Sequence, residues 1–475
     1  MKKLLLVLLL VGNCCIAFCK DNVKLYGNIK HPLSDTIKVS YAPTSIAYEP
    51  KDFFATLDKS GSFHISLSVP EGYTNLSITN GTETTEIFVM PGAYLSLFVD
   101  GHNFDSSVRY KGKGEEIANF MAKHVLERHI MLHFGYEGQM LSNKEPADYE
   151  RALKELADKD INFLQQNGGN LPESFKEYFR IHYRYKVYAT MEMYPRVHEM
   201  FRQKSNRVNK IPKENYVVID HIPQEFNDNY IDIEAYQEYL YNFFALKMAR
   251  DMAFANISDD AQQPSADTFL TLAYTKMPPK TAEFFAGHTI YVHTKYTPLD
   301  KLLAEYETYK AHFPNSANLG ILEQSIALKK TLAIGKPAVD FNIETPEGTN
   351  MKLSDLKGNI VYLDFWSRGC VPCITEMPDA KKVREYFKDK PVKFVYISID
   401  PDDNTWKKAI KDFEVDGINT RVNGQWQSEL VKSYGVKSIP SYFLIDKEGN
   451  FAAIEDVARP SNYEKLKKQV ETLLK

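Results

Sequence analysis

The sequence contains few cysteines, and their positions exclude a fold held together by disulfide bonds. Only five cysteines occur in 475 residues, and Cys14, Cys15 and Cys19 lie within the first 19 residues. Secreted domains that depend on disulfides carry several spaced pairs instead. The remaining two, Cys370 and Cys373, enclose only two residues, so a bond between them closes almost no loop and adds little stability through chain entropy. We therefore expect this pair to serve chemistry.

Long hydrophobic runs are also missing. A membrane-spanning helix needs about 20 apolar residues, and the apolar segment at the N-terminus is shorter and interrupted. It begins with two lysines and continues with apolar residues 4–11. A basic start followed by a short apolar run is typical of an export signal. We predict this signal over residues 1–19, with Ala17 and Cys19 as the small residues before the cleavage site.

Attachment of a lipid to one of the three N-terminal cysteines is the alternative. The residue before an acylated cysteine is normally small, whereas Asn13 precedes Cys14 and Phe18 precedes Cys19. We therefore expect an exported protein of the periplasm or cell envelope, soluble in the first interpretation and lipid-anchored in the second.

An excess of positive charge is absent as well. The chain carries 58 Lys and Arg against 62 Asp and Glu, a formal net charge of −4. Proteins that neutralise nucleic-acid phosphates have a basic excess, so no nucleic-acid partner is expected. The apolar share of 44% is ordinary for globular proteins. At roughly 150 residues per domain, the length suggests about three domains.

The pattern of apolar residues changes twice along the chain and predicts a multidomain protein. Residues 20–112 show short alternating runs between turn signals such as Asn80-Gly81, which predicts an all-β sandwich. Apolar residues recur at helical spacing over residues 113–334, which predicts an all-α region. Over residues 335–475, strand and helix patterns alternate, which predicts an α/β domain.

The two remaining cysteines lie where a strand pattern gives way to a helix pattern. Cys370-Val371-Pro372-Cys373 follows the apolar run Ile360–Trp366 and precedes a predicted helix. Free backbone N–H groups and the helix dipole stabilise a thiolate at a helix N-terminus and lower its pKa. Cys370 is therefore expected to attack a substrate disulfide, and Cys373 to resolve the mixed disulfide that results.

Two further residues are predicted to assist the pair. Asp364 is the one charged side chain in the apolar run, and a buried carboxylate with a raised pKa suits a general base for Cys373; a solvated strand-end aspartate is the alternative. Ile439-Pro440 precedes a predicted strand. If that peptide bond is cis, the backbone of Ile439 faces the thiols and pairs with an extended substrate segment; an ordinary trans proline is the alternative.

These residues resemble those of exported TlpA/ResA-like thiol-disulfide oxidoreductases, which have a thioredoxin-like fold. The similarity covers roughly residues 334–475 and includes the run from Asp364 to Cys373, Glu376-Met377-Pro378 and Ile439-Pro440. The long span between Asp400 and Ser438 matches the inserted helix and strand of that family.

The resemblance implies roles for individual residues. Cys370 would be the nucleophile, Cys373 the resolving thiol, Asp364 the acid/base and Pro440 the cis-proline. Residues around the thiols would contact the substrate, namely Trp366, Val371, Pro372 and Ile439. Arg368-Gly369 departs from thioredoxin, which has an acidic residue and a tryptophan before its first cysteine, so the surface that faces the substrate is expected to differ. The two front domains are similar only loosely to regions that precede thioredoxin domains in other envelope proteins.

The predicted function is reduction of protein disulfides, with electrons from a membrane thiol reductase and no cofactor other than the Cys370–Cys373 pair. The direction of electron flow depends on the redox potential, which the sequence does not determine. A thiol peroxidase is a weaker alternative, because Ser367 matches a fragment of that pattern but Asp364 and Phe365 stand where it has a proline. A binding or scaffold protein with an ancillary redox domain is the other.

No metal site is expected. A histidine pair four residues apart, His129 and His133, lies near His124 and Glu127, but no third ligand has a convincing spacing. Packed or solvated histidines are the preferred interpretation.

Overall fold

The computed structural model describes residues 21–42, 46–47, 50–128, 138–203, 211–241, 266–294, 297–454 and 457–475. The predicted export signal and the pair His129 and His133 lie outside these residues. The chain divides into two compact units, residues 1–291 with 311–318 and residues 292–310 with 319–475. None of the helices in the described ranges is both long and apolar enough to cross a membrane.

The N-terminal strands of the first unit form two four-stranded sheets. One sheet has the order β4-β1-β7-β8 and the other β3-β2-β5-β6, with strands β1 (Val23–Lys30), β2 (Thr36–Tyr41), β3 (Lys51–Thr56), β4 (Ser62–Leu67), β5 (Thr74–Asn80), β6 (Glu83–Val89), β7 (Tyr94–Asp100) and β8 (Arg109–Lys113). Buried and partly exposed residues alternate along β2 and β5, because successive side chains point to opposite faces of a strand. Leu25 of the first sheet and Val39 of the second belong to one hydrophobic core.

The rest of the first unit is mainly helical, as predicted. Residues 234–241 are helical, together with α1 (Phe104–Ser107), α2 (Glu115–Arg128), α3 (Gly138–Leu141), α4 (Pro146–Asn167), α5 (Glu173–Gln203), α6 (Val217–Asp220), α7 (Ala266–Lys276) and α8 (Pro279–His293). Aromatic side chains of α2, α4 and α5 form a common core with Phe88 of β6. The helices and the strands of this unit therefore bury apolar surface against each other.

Two helices, α9 (Leu299–His312) and α10 (Leu319–Thr331), precede the C-terminal sheet. The side chain of Leu332, which follows α10, is partly buried against the core of this sheet. A short hairpin of β9 (Asn342–Glu344) and β10 (Asn350–Lys352) comes next.

The C-terminal sheet has five strands in the order β13-β12-β11-β14-β15. The strands are β11 (Ile360–Trp366), β12 (Val392–Ser398), β13 (Ile418–Arg421), β14 (Ser441–Ile445) and β15 (Phe451–Ile454), and the helices are α11 (Val371–Phe387), α12 (Asp403–Asp412), α13 (Glu429–Ser433) and α14 (Tyr463–Leu474). The central strand β11 runs parallel to β12 and antiparallel to β14. The predicted α/β character is confirmed, and the long span after Asp400 holds α12 and β13, the helix and strand that the resemblance implied.

Every residue of β11 is buried. Leu363 and Phe365 contribute to the core on one face of the sheet, and Ile360 and Tyr362 to the core on the other, which includes residues of α11 and α14. A central strand that is covered on both faces needs a continuous apolar run. This explains why the sequence of β11 does not alternate, and why its single charged residue, Asp364, is buried.

Candidate redox site

The two cysteines lie at the start of α11, directly after the central strand. Cys370 is the N-cap residue of this helix, and its Sγ accepts a hydrogen bond from the backbone N–H of Cys373, with an N–S distance of 3.1 Å. Pro372 lies in the first helical turn, where the missing N–H is not needed. The motif therefore begins the helix, and the helix places the sulfur of Cys370 against its positive end.

The two sulfur atoms form a disulfide bond, with the Cα atoms 5.2 Å apart. Cys370 is 8% exposed and Cys373 is 2% exposed. Val371 and Pro372, between them, are both exposed. A molecule that approaches the pair from solvent therefore meets Val371, Pro372 and Cys370 before Cys373.

Asp364 lies in β11 and is almost completely buried, at 3% exposure. Among the described residues, its Oδ1 atom has no hydrogen-bond partner. The pKa of Asp364 is raised to about 8: burial contributes most, the negative charge of Glu376 also raises the pKa, and Arg459 and Arg384 partly lower it. A group with this pKa exchanges protons near neutral pH, as a general base should. The structure does not place Asp364 in solvent, the alternative considered from the sequence.

Glu376 is buried on α11, one turn after Cys373. It accepts hydrogen bonds from Arg459 Nη1 at 3.3 Å, from the backbone N–H of Ser461 at 2.9 Å and from Ser461 Oγ at 3.0 Å. Sequence reasoning used Glu376 only as part of a family pattern and missed Arg459 and Ser461. Nothing in the local sequence signals this contact, since Arg459 and Ser461 lie more than 80 positions after Glu376.

The remaining predicted residues surround the pair in different ways. The Ile439–Pro440 peptide bond is cis, as the resemblance implied. Ile439 is partly buried and packs on the hydrophobic cluster that contains both cysteines. Trp366 belongs to the same cluster and is completely buried. Of the predicted substrate-binding residues, Val371 and Pro372 are therefore exposed, Ile439 is intermediate, and Trp366 lies in the interior, in the same hydrophobic cluster as the cysteines.

A cleft of about 510 Å³ opens beside the cysteines, and sequence reasoning did not predict it. We call it the Trp426 cleft; its lining includes Arg368, Gly369, Ile399, Asp400, Trp426 and Ile439. Trp426 is 42% exposed. It comes from the inserted span between β13 and α13, so only the folded chain brings it to the residues that precede Cys370.

A possible metal-ligand set lies elsewhere, in the first unit. Within the described ranges, ligand atoms of His31, Asp100 and His102 lie within 4.8 Å of one another. The two imidazole rings are stacked, with centroids 4.3 Å apart and planes 9° apart. Because a metal ion lies in the plane of each imidazole that binds it, the rings would have to rotate before both could bind one ion. His124, one of the histidines considered from the sequence, is buried, and its Nε2 atom is hydrogen-bonded to Asp160 Oδ1 at 2.9 Å.

Comparisons with known proteins match the C-terminal part of the chain. The Redoxin family model matches residues 333–474. The thiol-disulfide oxidoreductase ResA of Bacillus thuringiensis subsp. konkukian is 33% identical over 147 residues, which are 31% of this chain and 80% of the relative. ResA of Bacillus subtilis is 29% identical over 126 residues, 26% of this chain and 69% of the relative.

Solved structures of related proteins match the same share of the chain. The thioredoxin domain of a thiol-disulfide oxidoreductase from Bacteroides vulgatus is 29% identical and covers 29% of this chain and 99% of its own, with a TM-score of 0.28. A thiol:disulfide interchange protein from Bacteroides sp. is 29% identical and covers 30% of this chain and 92% of its own, with a TM-score of 0.28.

Proposed function

The chain belongs, through its C-terminal domain, to the TlpA/ResA-like family of thiol-disulfide oxidoreductases, and from this we propose that it is an exported enzyme that reduces protein disulfides with Cys370 and Cys373. The observation that supports these two residues is the disulfide at the start of α11, with Cys370 as the N-cap residue. Outside residues 1–19 the sequence has no other cysteine that could do this chemistry.

The reaction proceeds in two exchange steps. The Cys370 thiolate attacks one sulfur of the substrate disulfide, forms a mixed disulfide and releases the other substrate sulfur as a thiolate, which takes a proton from solvent. Cys373 then attacks Cys370 Sγ and releases the second substrate thiol. The substrate gains two electrons and two protons, and the enzyme is left with the Cys370–Cys373 disulfide.

Asp364 is the proposed base for the second step. Cys373 must lose its proton before it attacks, and it is 2% exposed, so solvent has little access to it. The buried carboxylate of Asp364, with a pKa of about 8, accepts this proton and passes it to the leaving thiolate.

Five other residues are proposed to contact or position the substrate. Val371 and Pro372 meet it at the exposed surface. Ile439 pairs its backbone with an extended segment of the substrate, next to Pro440. Trp366 packs beneath the cysteines and holds them in place, as its position in their hydrophobic cluster supports.

The cellular setting and the domain boundaries are part of the same proposal. Residues 1–19 direct export to the periplasm or cell envelope, and a membrane thiol reductase returns electrons to the Cys370–Cys373 disulfide. Residues 20–112 form a β-sandwich domain, residues 113–334 a helical domain and residues 335–475 the thioredoxin-like domain. The single core shared by two four-stranded sheets supports the first of these.

Substitution of each cysteine tests the proposal. We expect Cys370→Ala to abolish reduction of insulin disulfides, and Cys373→Ala to accumulate mixed disulfides with substrate proteins, visible as bands that disappear on reduction. Lys382→Ala, at an exposed position on the same helix, serves as the control and should reduce insulin at the normal rate. Turnover of insulin disulfides by Cys370→Ala would overturn the proposal.

A further inference from the structure

One face of the sheet β4-β1-β7-β8 points away from the core of the first unit. Leu25 and Leu97 are buried in that core, and the residues on either side of them in the strands point outward, because successive side chains of a strand lie on opposite faces. We call the outward residues of the four strands the outer face. They are Lys24, Tyr26, Asn28 and Lys30 of β1, Ser62, His64 and Ser66 of β4, Tyr94, Ser96, Phe98 and Asp100 of β7, and Arg109, Lys111 and Lys113 of β8.

Aromatic rings lie in the middle of the outer face. Tyr26 pairs with His64 across the two strands, and their ring centroids are 4.5 Å apart. The ring of Tyr94, on the strand at the other side of β1, lies 5.0 Å from that of Tyr26. Tyr94 is 49% exposed and Phe98 is 46% exposed. Because adjoining exposed apolar groups mark interaction surfaces of soluble proteins, the outer face is a candidate for one.

The outer face carries more positive than negative charge. The one carboxylate among its residues is that of Asp100, which accepts a hydrogen bond from the backbone N–H of His102 at 3.0 Å and lies 3.0 Å from Nδ1 of His31. Five exposed cations share the face with it, namely Lys24, Lys30, Arg109, Lys111 and Lys113. The whole chain has a net charge of −4, so this excess is local. Such a surface attracts an anionic partner.

The packing of the rings disfavours a ligand that binds by stacking. His64 and Tyr26 are stacked with their planes 27° apart, and Tyr94 lies against Tyr26 as well. Neighbouring rings therefore cover much of the Tyr26 ring, whereas a base or a sugar ring needs a free aromatic face. An anionic surface that takes up whole side chains fits this arrangement better.

One end of the outer face lies close in sequence to the proposed export signal. Strand β1 begins at Val23, four positions after Cys19, the last residue of that signal. Lys24, Tyr94 and Lys113 lie side by side in one row at this end of the sheet. Four residues span at most about 14 Å, so a lipid on Cys19, the alternative considered from the sequence, would hold this row near the bilayer.

We propose that the outer face binds a bilayer surface that contains anionic phospholipids. Tyr94 and Phe98 enter the headgroup region, where aromatic side chains partition, and the surrounding cations pair with lipid phosphates. The proposal goes beyond the redox function because it concerns the first unit, and of that function it uses only the proposed export. Binding of this kind holds the enzyme at the membrane, the proposed location of its reductant.

Sedimentation with vesicles tests this binding. The oxidised chain without the export signal, residues 20–475, is mixed with vesicles of phosphatidylcholine alone or of phosphatidylcholine with about 30% phosphatidylglycerol. We expect the partition coefficient to be about tenfold larger for the anionic vesicles at low ionic strength. It should fall to nearly that of the neutral vesicles in about 0.5 M NaCl, where salt screens the charges.

Substitutions on the outer face separate the contributions of charge and of apolar surface. Lys111→Gln should lower the partition coefficient for anionic vesicles about fivefold, the factor expected for one cation near such a surface. Phe98→Ser should lower it by about the same factor without changing its salt dependence. Lys154→Gln and Phe54→Ser, at exposed positions of the first unit outside the outer face, are the matched controls and should bind normally.

The outcomes are distinct from those that test the redox function. Equal partition onto neutral and anionic vesicles would overturn the proposal, and so would Lys111→Gln and Phe98→Ser variants that bind like their controls. Binding to polyglutamate but not to vesicles would assign the outer face to an acidic protein partner and would also overturn it. All four variants should reduce insulin disulfides normally, because the cysteines lie in the second unit; failure of the unsubstituted protein to do so would contradict the redox function alone.

Discussion

The buried carboxyl of Asp364 makes the stability of the oxidised protein depend on pH. Its pKa is about 8 in the folded protein and 3.8 without the fold. Between these values the folded state binds a proton that the unfolded state lacks, so the free energy of unfolding falls as pH rises and levels off above pH 8. A fixed neutral side chain at this position removes that dependence.

Between pH 5 and pH 8, we expect the free energy of unfolding of Asp364→Asn to rise by about 3 kcal/mol relative to that of the unsubstituted protein. Each pH unit in this window lowers the free energy of unfolding of the protein with aspartate by about 1.4 kcal/mol, and partial relaxation reduces the total. Urea unfolding of both oxidised proteins at the two pH values measures this. Asp389→Asn, at an exposed position of the same domain, is the control and should change little. If the free energies of unfolding of the two proteins differed by the same amount at pH 5 and at pH 8, Asp364 would be ionised throughout this range.

The same substitution separates the two chemical steps. With Asp364→Asn we expect the release of substrate by Cys373 to slow by about 10²-fold, the lower end of what a positioned base supplies. The inflection near pH 8 in the pH profile of this release rate should disappear. Attack by Cys370, measured on the Cys373→Ala background, should change by less than about twofold, because solvent reaches that thiol. Single-turnover rates from pH 6 to pH 10 give both steps, and an unaltered release profile would count against the carboxylate.

At this scale, the sequence points to residues of the candidate site where the signal is local. Asp364 is a single charged residue in an otherwise apolar run, and the two cysteines lie between a strand pattern and a helix pattern. All three residues fall within ten positions of each other. Arg459, Ser461 and Trp426 were missed because each reaches the site from a distant segment through the fold. Their own neighbours in the sequence resemble any surface loop.

Among the elements, the segment between β15 and α14 is tied to α11 through Glu376. Arg459 and Ser461 supply every hydrogen bond described for that carboxylate. Glu376 is mostly buried and Arg459 is about one-third exposed, so the ion pair is partly screened by solvent. Loss of Arg459 leaves a buried carboxylate with Ser461 alone, which is unfavourable.

We expect Arg459→Gln to lower the free energy of unfolding at pH 7 by about 2 kcal/mol, below the 3–5 kcal/mol typical of fully buried pairs because the arginine is partly exposed. Denaturant unfolding of the oxidised protein measures it. Lys388→Gln removes a cation from a pair in which both partners are about 65% exposed and should change stability by less than about 0.5 kcal/mol. If the two variants were equally stable, the ion pair between Arg459 and Glu376 would not contribute to the free energy of unfolding.

Element types were predicted well and element ends less well. The apolar run Phe394–Ile399 predicts a strand, which is observed as Val392–Ser398, and the amphipathic pattern Ser461–Leu474 predicts a helix, which is observed as Tyr463–Leu474. Helical spacing predicts a further helix over Leu299–His312, and these residues are the observed ends of α9. Periodicity reports which face is buried, whereas an end depends on capping contacts and on neighbouring strands. The order of strands in each sheet was beyond prediction, because it is determined by long-range pairing.

For the molecule as a whole, the thioredoxin-like domain is stabilised by residues that precede its predicted start at 335. Leu332 packs on the core of the sheet, and a Cβ added to Gly435 would lie 3.2 Å from both Leu328 and Leu332. Helix α10, which carries Leu328, therefore covers part of the domain. The sequence pattern placed the boundary at Gly335, shortly after α10 ends at Thr331, and could not show on which side of this boundary the helix packs.

We expect a fragment of residues 319–475 to melt about 2–4 °C above a fragment of residues 335–475, because burial of Leu332 and its neighbours contributes about 1 kcal/mol. Calorimetry of the two oxidised fragments measures the difference. Leu332→Ala in the longer fragment should remove most of this difference, whereas Lys330→Ala, which truncates an exposed side chain of α10, should not. Identical melting temperatures would mean that α10 adds nothing to the domain.

The small number of cysteines limits how many electrons one molecule can transfer. Cys370 and Cys373 are the only cysteines of residues 20–475, and they share one bond, so this part of the chain holds no third thiol that could relay electrons. In the proposed reduction, each molecule would thus deliver two electrons per encounter and then stay inactive until an external thiol opened its disulfide. Under that proposal, the steady-state rate is limited by the supply of the reducing partner, however fast the exchange with substrate becomes.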